Sequence, residues 1–203
     1  MRTAIFGGTF DPIHRAHLVV AREAAETFSL DRVLFIPAAN PPFKEAHAGY
    51  EDRLRMVQLA CAGDARFVPS RLEEGREKSY SIHTIERVKA QDGPAGTAGK
   101  VGKLGKLGKV FFIIGADAFA EIQNWYRWQD VLNAVDFIVV ARPGHVYTCP
   151  PGARVHRLET VALPVSSSEI RQALARGQAP PELPPAVVEY IREHGLYQAS
   201  SET

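Results

Sequence analysis

The chain has 203 residues, of which 45% are hydrophobic and 23% charged, as in an ordinary globular domain. Its formal net charge of +1 gives no overall attraction to nucleic acid or to an anionic membrane, so any phosphate site must be local. Two cysteines, Cys61 and Cys149, are too few for a disulfide framework, and no apolar run approaches the roughly 20 residues that span a bilayer. The first residues lack the apolar region of a secretory signal. We therefore expect one domain, residues 1–203, soluble and cytoplasmic, with no nucleic-acid or membrane partner.

Short apolar strands alternate with amphipathic helices along the chain, which predicts a mostly parallel, Rossmann-like α/β sheet flanked by helices. A strand at 2–6, a helix at 15–28 and a strand at 33–36 form a βαβ unit, which requires a right-handed crossover. Further strands are predicted at 66–68, 110–114, 136–141 and 158–163, and further helices at 51–62, from 79 or 81 to about 91, from about 167, and at 185–194.

A segment of different composition interrupts this alternation. Residues 93–109 carry glycine at every third position together with four lysines. Collagen shares the glycine spacing, but it needs three chains and abundant proline, whereas this segment has only Pro94. We interpret it as a flexible basic insertion between a helix and a strand, with contact to a polyanion as the alternative.

The turn after the first strand is the most informative stretch: Gly7-Gly8-Thr9-Phe10-Asp11-Pro12-Ile13-His14-Arg15-Ala16-His17. Its glycines let the backbone approach a bulky ligand, and Pro12 suits the start of a helix. A helix N-terminus attracts anions, and His14 and His17 share one face of its first turn. The stretch predicts a polyphosphate site. The alternative is a sharp strand–helix turn with two solvated histidines.

A second helix start lies far along the chain, at Val165-Ser166-Ser167-Ser168-Glu169-Ile170-Arg171. Such a group of hydroxyls often only caps a helix. An arginine in the first turn adds a planar donor that can bond two phosphate oxygens at once. Two helix N-termini from opposite ends of the chain, facing one cleft, would form a specific phosphate site.

These two stretches resemble the signatures of the nucleotidyltransferase superfamily, which read Gly-Gly-x-Phe-x-Pro-x-His-x-Gly-His and Ile-Ser-Ser-Thr-x-x-Arg. Among its members, the chain is most similar to the bacterial nicotinate mononucleotide adenylyltransferases. Ala16 replaces a glycine of the first signature, and Val165 and Ser168 are mild departures from the second. Phe43 replaces the histidine that precedes Lys44 in a third family block.

The resemblance implies a set of site residues. The catalytic residues would be His14, His17 and Arg171, which supply charge to the phosphates. ATP would be bound by Gly7, Gly8, Thr9, Phe10, His14, His17, Gly115, Asp117, Ser167, Ser168 and Arg171. Nicotinate mononucleotide would be bound by Lys44, Ser81, Thr84, Trp125 and Tyr126, with Trp125 stacked on the pyridine ring; Trp128 is expected in the core.

The family reaction implied is adenylyl transfer from ATP to nicotinate mononucleotide, with Mg²⁺ bound to ATP and no metal held by the protein. Two alternatives stay open. One is a sibling transferase that uses nicotinamide mononucleotide, another mononucleotide or pantetheine phosphate, and the other is a nucleotide-binding regulator without turnover. The sequence contains no P-loop, no Gly-x-Gly-x-x-Gly and no zinc-ligand spacing. A homo-oligomer is left open.

Overall fold

Six parallel strands form one sheet in the computed structural model, which describes residues 1–41, 45–75, 78–92, 108–160 and 165–198. The strands are β1 (Thr3–Gly8), β2 (Arg32–Pro37), β3 (Phe67–Pro69), β4 (Val110–Gly115), β5 (Asp136–Ala141) and β6 (Val155–Glu159). The helices are α1 (Arg15–Thr27), α2 (Tyr50–Cys61), α3 (Ser81–Asp92), α4 (Ala116–Ala120), α5 (Trp128–Ala134), α6 (Ser167–Ala175) and α7 (Pro185–Glu193), with a 3₁₀ turn at Ile122–Asn124.

The strand order is β3-β2-β1-β4-β5-β6, so the direction of winding reverses between β1 and β4. Parallel doubly wound sheets bind ligands at this reversal, outside the carboxyl ends of the strands. The pairing of β1 with β4 stops at Ile5 and Phe112, although both strands continue. The two strand ends are therefore no longer paired with each other, although each stays paired with its outer neighbour, and a crevice lies between them.

Both faces of the sheet are covered, as a parallel sheet requires. Alternate residues of β4 show this division: Phe111 and Ile113 pack with residues of α1, α2, α6 and α7, whereas Phe112 and Ile114 pack with residues of α3, α4 and α5. Consecutive strand residues point to opposite faces, so a continuous apolar run such as 110–114 suits a strand buried on both sides.

The structure confirms the predicted Rossmann-like α/β fold, and the sheet is entirely parallel among the described residues. The prediction did not include α4, α5 or the 3₁₀ turn, which are too short for an apolar period to reveal. The last strand was predicted at 158–163; β6 begins earlier, at Val155, and runs to Glu159, whereas residues 161–163 of the predicted range lie outside the described residues. Of the insertion at 93–109, only residues 108 and 109 lie within the described part of the chain.

No helix among the described residues is long and apolar enough to cross a membrane.

Candidate active site

Two cavities meet at the carboxyl edge of the sheet, and Gly115 lines both. The smaller, of about 260 Å³, lies between the ends of β1, β2 and β4 and the start of α3. The larger, of about 730 Å³, lies between the ends of β4 and β5 and the start of α6. An extended ligand crossing the ends of β1 and β4 would reach both.

Two of the glycines that line these cavities, Gly115 and Gly7, have enough space around them for a Cβ atom. A Cβ on Gly115 would have no heavy atom within 4 Å, and one on Gly7 would make only an ordinary contact with Phe112. A Cβ on Gly8, by contrast, would come within 3.2 Å of the Phe10 ring. A side chain at Gly8 would thus crowd the Phe10 ring, whereas Gly7 and Gly115 leave open space in the crevice.

The two histidines lie together at the start of α1. His14 is the N-cap residue, and the ring centroids of His14 and His17 are 3.8 Å apart. The His14 backbone N–H donates to His17 Nδ1 at 3.2 Å. Because Nδ1 of His17 accepts, the proton of a neutral His17 ring must sit on Nε2. That leaves Nε2–H as the donor that His17 can offer to a ligand.

Burial sets the charge of both rings. His14 is only 5% exposed, and this burial lowers its pKa to about 4. Burial also holds the pKa of His17 well below its usual value, with the adjacent His14 as a smaller cause. The Nδ1 atom of His14 is buried and has no hydrogen-bond partner in the described part of the chain. Both rings are therefore neutral near pH 7 before any anion binds.

The first turn of α6 is joined to the glycine turn. Ser166 caps this helix, since its hydroxyl accepts from the Glu169 backbone N–H at 3.2 Å. The Ser167 hydroxyl donates to the Pro12 carbonyl at 3.1 Å. Arg171 donates through Nη1 to the Asp11 carbonyl at 2.7 Å and through Nη2 to the Ser168 hydroxyl at 3.2 Å. The structure therefore brings the two predicted phosphate-binding stretches together.

The carbonyl groups of the glycine turn are held by arginine and serine side chains. Besides the Asp11 and Pro12 carbonyls, the Thr9 carbonyl accepts from Nη1 of Arg53 at 2.7 Å. Arg53 is 1% exposed and also binds the carbonyls of Ala38 and Ala48, at 2.8 and 3.1 Å. These donors occupy the negative ends of the backbone dipoles, which would otherwise repel an anion near this turn.

The smaller cavity contains three of the residues predicted to bind the mononucleotide, namely Ser81, Thr84 and Trp125. Trp125 packs its indole edge-on against Phe112, with ring centroids 6.1 Å apart. The hydroxyl of Thr84 donates to Glu73, so its proton is already committed within the protein. Glu73 is 6% exposed, and its second oxygen, Oε2, is buried without a partner among the described residues.

The other predicted residues have different surroundings. Tyr126 is half-exposed and packs against Tyr80 in a tilted contact, with ring centroids 4.6 Å apart, and it does not line the smaller cavity. The ring of Phe10 is buried in the core, so only its backbone could meet ATP. Asp117 lines the larger cavity and is fully exposed, and Trp128 is half-buried against the core. Lys44 lies outside the described residues.

The sequence is similar to those of known proteins over nearly its full length. Residues 5–173 match the family model described as cytidylyltransferase-like. A protein of Solibacter usitatus, named a probable nicotinate-nucleotide adenylyltransferase, is 56% identical over 97% of this chain and 100% of its own length. The chain belongs to the nicotinate-nucleotide adenylyltransferase family. A relative of the same name from Thermus thermophilus is 38% identical over 98% of this chain and 100% of its own.

A solved structure supports the fold independently. The nicotinic acid mononucleotide adenylyltransferase of Plasmodium falciparum, solved in complex with NaAD, superimposes with a TM-score of 0.74 over 97% of each chain. Its sequence identity to this member of the family is 17%, so the likeness concerns the fold alone.

The structural roles of three residues at the site, Arg53, Glu73 and Asp11, could not be predicted from the sequence. Arg53 falls within a predicted helix whose charged positions are expected to face solvent, and nothing local marks it as buried. Glu73 lies in a loop with no periodic pattern. Asp11 is part of the quoted signature, yet only the fold reveals that its carboxylate binds residues far along the chain.

Proposed function

We propose that this chain transfers the adenylyl group of ATP to nicotinate mononucleotide, giving nicotinate adenine dinucleotide and pyrophosphate. The observation that carries the proposal is the pair of cavities that meet at Gly115, with the helix starts of α1 and α6 joined beside them. The names of the closely similar relatives supply the substrates.

The larger cavity is the proposed site of the adenosine part of ATP. Gly115 and Asp117 line it, and an exposed carboxylate at the end of a parallel strand can accept hydrogen bonds from ribose hydroxyls. The proposed triphosphate path runs past Gly7, Gly8 and Thr9 to Ser167, Ser168 and Arg171, where a helix N-terminus and a guanidinium offer donors to phosphate oxygens.

The smaller cavity is the proposed site of nicotinate mononucleotide. It opens onto the N-terminus of α3 at Ser81, and the positive end of the helix dipole favours the nicotinate carboxylate over an uncharged amide. Trp125 offers an aromatic surface to the pyridine ring. Lys44, Thr84 and Tyr126 complete the proposed set, with Thr84 acting through its bond to Glu73.

The proposed reaction needs no protein nucleophile. A 5′-phosphate oxygen of the mononucleotide attacks the α-phosphorus of ATP, and the bond from that phosphorus to the bridging oxygen of the β-phosphate breaks, with the electron pair leaving on pyrophosphate. The protein's contribution is then positioning and charge stabilisation. His17 donates from Nε2, Arg171 from its guanidinium, and His14 stands beside them.

ATP is proposed to enter as its Mg²⁺ complex, with the cation held by phosphate oxygens. No group of three or more histidine, cysteine, aspartate or glutamate side chains among the described residues is placed to hold a metal ion. We further propose that residues 1–203 act as one domain in the cytoplasm, with these two substrates as the partners.

The variant H17A tests the role of the histidine pair. Loss of a donor aimed at transition-state charge reduces kcat by about 10²–10³, and we expect that loss in an assay that measures pyrophosphate and dinucleotide together. H194A is the matched control, because His194 lies at the exposed end of α7. Folded H17A protein with the turnover of H194A would refute the assignment.

A further inference from the structure

The segment after α7 contacts the glycine turn through a hydrogen bond from the Tyr197 side chain. The Tyr197 hydroxyl donates to Oδ1 of Asp11 at 2.7 Å. Tyr197 is half-buried, and this burial together with its bond to the Asp11 carboxylate raises the pKa of the phenol above its ordinary value. The hydroxyl therefore keeps its proton and remains a donor at any pH at which the protein functions.

Asp11 is the point at which several elements meet. It is 3% exposed, and its carboxylate also accepts from the backbone N–H groups of His47 and Ala48, at 2.8 and 3.1 Å. Its backbone carbonyl accepts from Arg171. One residue thus connects the C-terminal segment, the loop before α2 and the arginine proposed to bind phosphate.

Titratable side chains from three parts of the chain face the Asp11 carboxylate. Nη1 of Arg171, from α6, lies 3.8 Å from Oδ2, and Nδ1 of His47 lies 3.2 Å from the same oxygen. Arg53, from α2, contributes a further favourable charge. Burial opposes ionisation, but the hydrogen bonds from the His47 backbone, the Tyr197 hydroxyl and the Ala48 backbone, together with the charge of Arg171, outweigh it, so the pKa of Asp11 lies below its ordinary value.

The backbone has an unfavourable conformation on both sides of the Tyr197–Asp11 hydrogen bond. Phe10, which precedes Asp11, has φ 49°, and Tyr197 has φ 61°. Residues other than glycine seldom adopt this left-handed region, because the Cβ crowds the backbone. Such conformations persist where surrounding contacts determine them, and they are common beside functional sites.

We propose that Tyr197 is a positioning residue for adenylyl transfer, fixing Asp11 so that the glycine turn and Arg171 hold the phosphates in the reacting arrangement. The inference rests on the proposed function, since it assigns the phosphates to that turn. Tyr197 itself touches no substrate in this scheme. Its hydroxyl acts on Asp11, and Asp11 acts on Arg171 through the carbonyl.

A second tyrosine provides a matched control. Tyr190, on α7, donates from its hydroxyl to Oδ1 of Asp52 at 2.9 Å. This bond has the same chemistry and nearly the same length, and it also ties the C-terminal region to an earlier part of the chain. It does not involve the glycine turn. Y197F and Y190F therefore remove equivalent bonds, only one of which leads to the proposed phosphate site.

The experiment compares wild type, Y197F and Y190F in steady-state adenylyl transfer with ATP and nicotinate mononucleotide, well below the melting temperature of each protein. We expect kcat of Y197F to fall about tenfold, as for loss of a hydrogen bond to a charged group, with the KM for the mononucleotide unchanged. Y190F should retain the kcat of wild type, and both variants should lose similar thermal stability.

The outcomes separate the two claims. A wild-type protein that forms no dinucleotide defeats the proposed function. An active wild type with equal kcat in Y197F and Y190F overturns the positioning role, because the bond is then only structural. If Y197F does not fold, D11A decides in the same assay, because it removes the acceptor of the Tyr197 bond: unchanged kcat in D11A overturns the inference.

Discussion

At the scale of single residues, the histidine pair couples the site to pH. The folded chain keeps His14 neutral down to about pH 4, whereas an unfolded histidine takes up a proton near pH 6.5. The unfolded state therefore binds more protons between these values, and the free energy of unfolding falls as the pH drops from 6.5 to 4. For His14 alone the loss is about 3 kcal/mol.

Urea denaturation of the ligand-free protein at several pH values between 4 and 7 measures this effect. H14N keeps a residue suited to the N-cap but removes the titrating ring, so its stability should fall less steeply over that window. Parallel curves for H14N and wild type would show that His14 does not carry the dependence.

A second residue-scale expectation concerns Glu73 in the smaller cavity. Its buried Oε2 is an acceptor, and a ribose hydroxyl of the mononucleotide is a donor that could satisfy it. E73Q keeps the size of the side chain. When the amide oxygen of the glutamine accepts the bond from Thr84, its NH₂ group takes the place of the Oε2 acceptor. We expect the KM for the mononucleotide to rise roughly tenfold, with the KM for ATP unchanged.

E74Q is the matched control for E73Q. Glu74 is the next residue, is exposed, and pairs with Arg71 outside the cavity. The two KM values of E74Q should equal those of wild type. An effect of E73Q on ATP alone would place Glu73 in the other half of the site.

At the scale of elements, Arg53 holds three separate stretches in place. Its guanidinium binds the carbonyls of Thr9, Ala38 and Ala48 and thereby connects the ends of β1 and β2 to the loop before α2. A lysine has one ammonium group and cannot reproduce this fork. R53K should lower the free energy of unfolding by about 2 kcal/mol.

Chemical denaturation of R53K beside R55K checks this expectation. Arg55 lies on the same helix and is exposed, with a side-chain bond only to Gln58 among the described residues. R55K should keep the stability of wild type. If R53K is as stable as R55K, the fork does not hold the three stretches together.

The sequence predicts elements whose signals are local. Apolar runs such as 110–114 reveal strands, and Ser166–Arg171 and Gly7–His17 reveal helix starts. The short helices α4 and α5 depend on packing more than on their own sequence, which explains why no periodic pattern announced them. The start of β6 depends on its pairing with β5, from Phe137 with Val155 onward, which the local sequence does not show.

The residues of the candidate site also fall into two groups, those with a local signal in the sequence and those without one. The stretches around His14 and Arg171 carry the resemblance, and the structure brings them together. The residues that hold them, Arg53, Asp11 and Tyr197, act through contacts between distant parts of the chain. A single sequence gives no local signal for such contacts. The placement of Lys44 stays a prediction.

At the scale of the whole molecule, the strand order determines where the two substrates meet. At the reversal the carboxyl ends of β1 and β4 are not paired with each other, and the two cavities lie on either side of Gly115 at that position. The scaffold thus brings the proposed ATP site and the proposed mononucleotide site to one edge of the sheet. The proposed choice between nicotinate mononucleotide and nicotinamide mononucleotide is made in the smaller cavity, at the N-terminus of α3.

The decisive measurement compares the steady-state rates with nicotinate mononucleotide and with nicotinamide mononucleotide, each at the same saturating ATP concentration. In the proposed site the nicotinate carboxylate meets the N-terminus of α3, whereas the amide of the nicotinamide compound would direct an NH₂ donor at backbone donors. A site built from hydrogen-bonding groups rejects such a mismatch strongly, so kcat/KM should favour nicotinate mononucleotide by at least about 10²-fold. Equal kcat/KM for the two compounds, or no pyrophosphate released with either, would contradict the account.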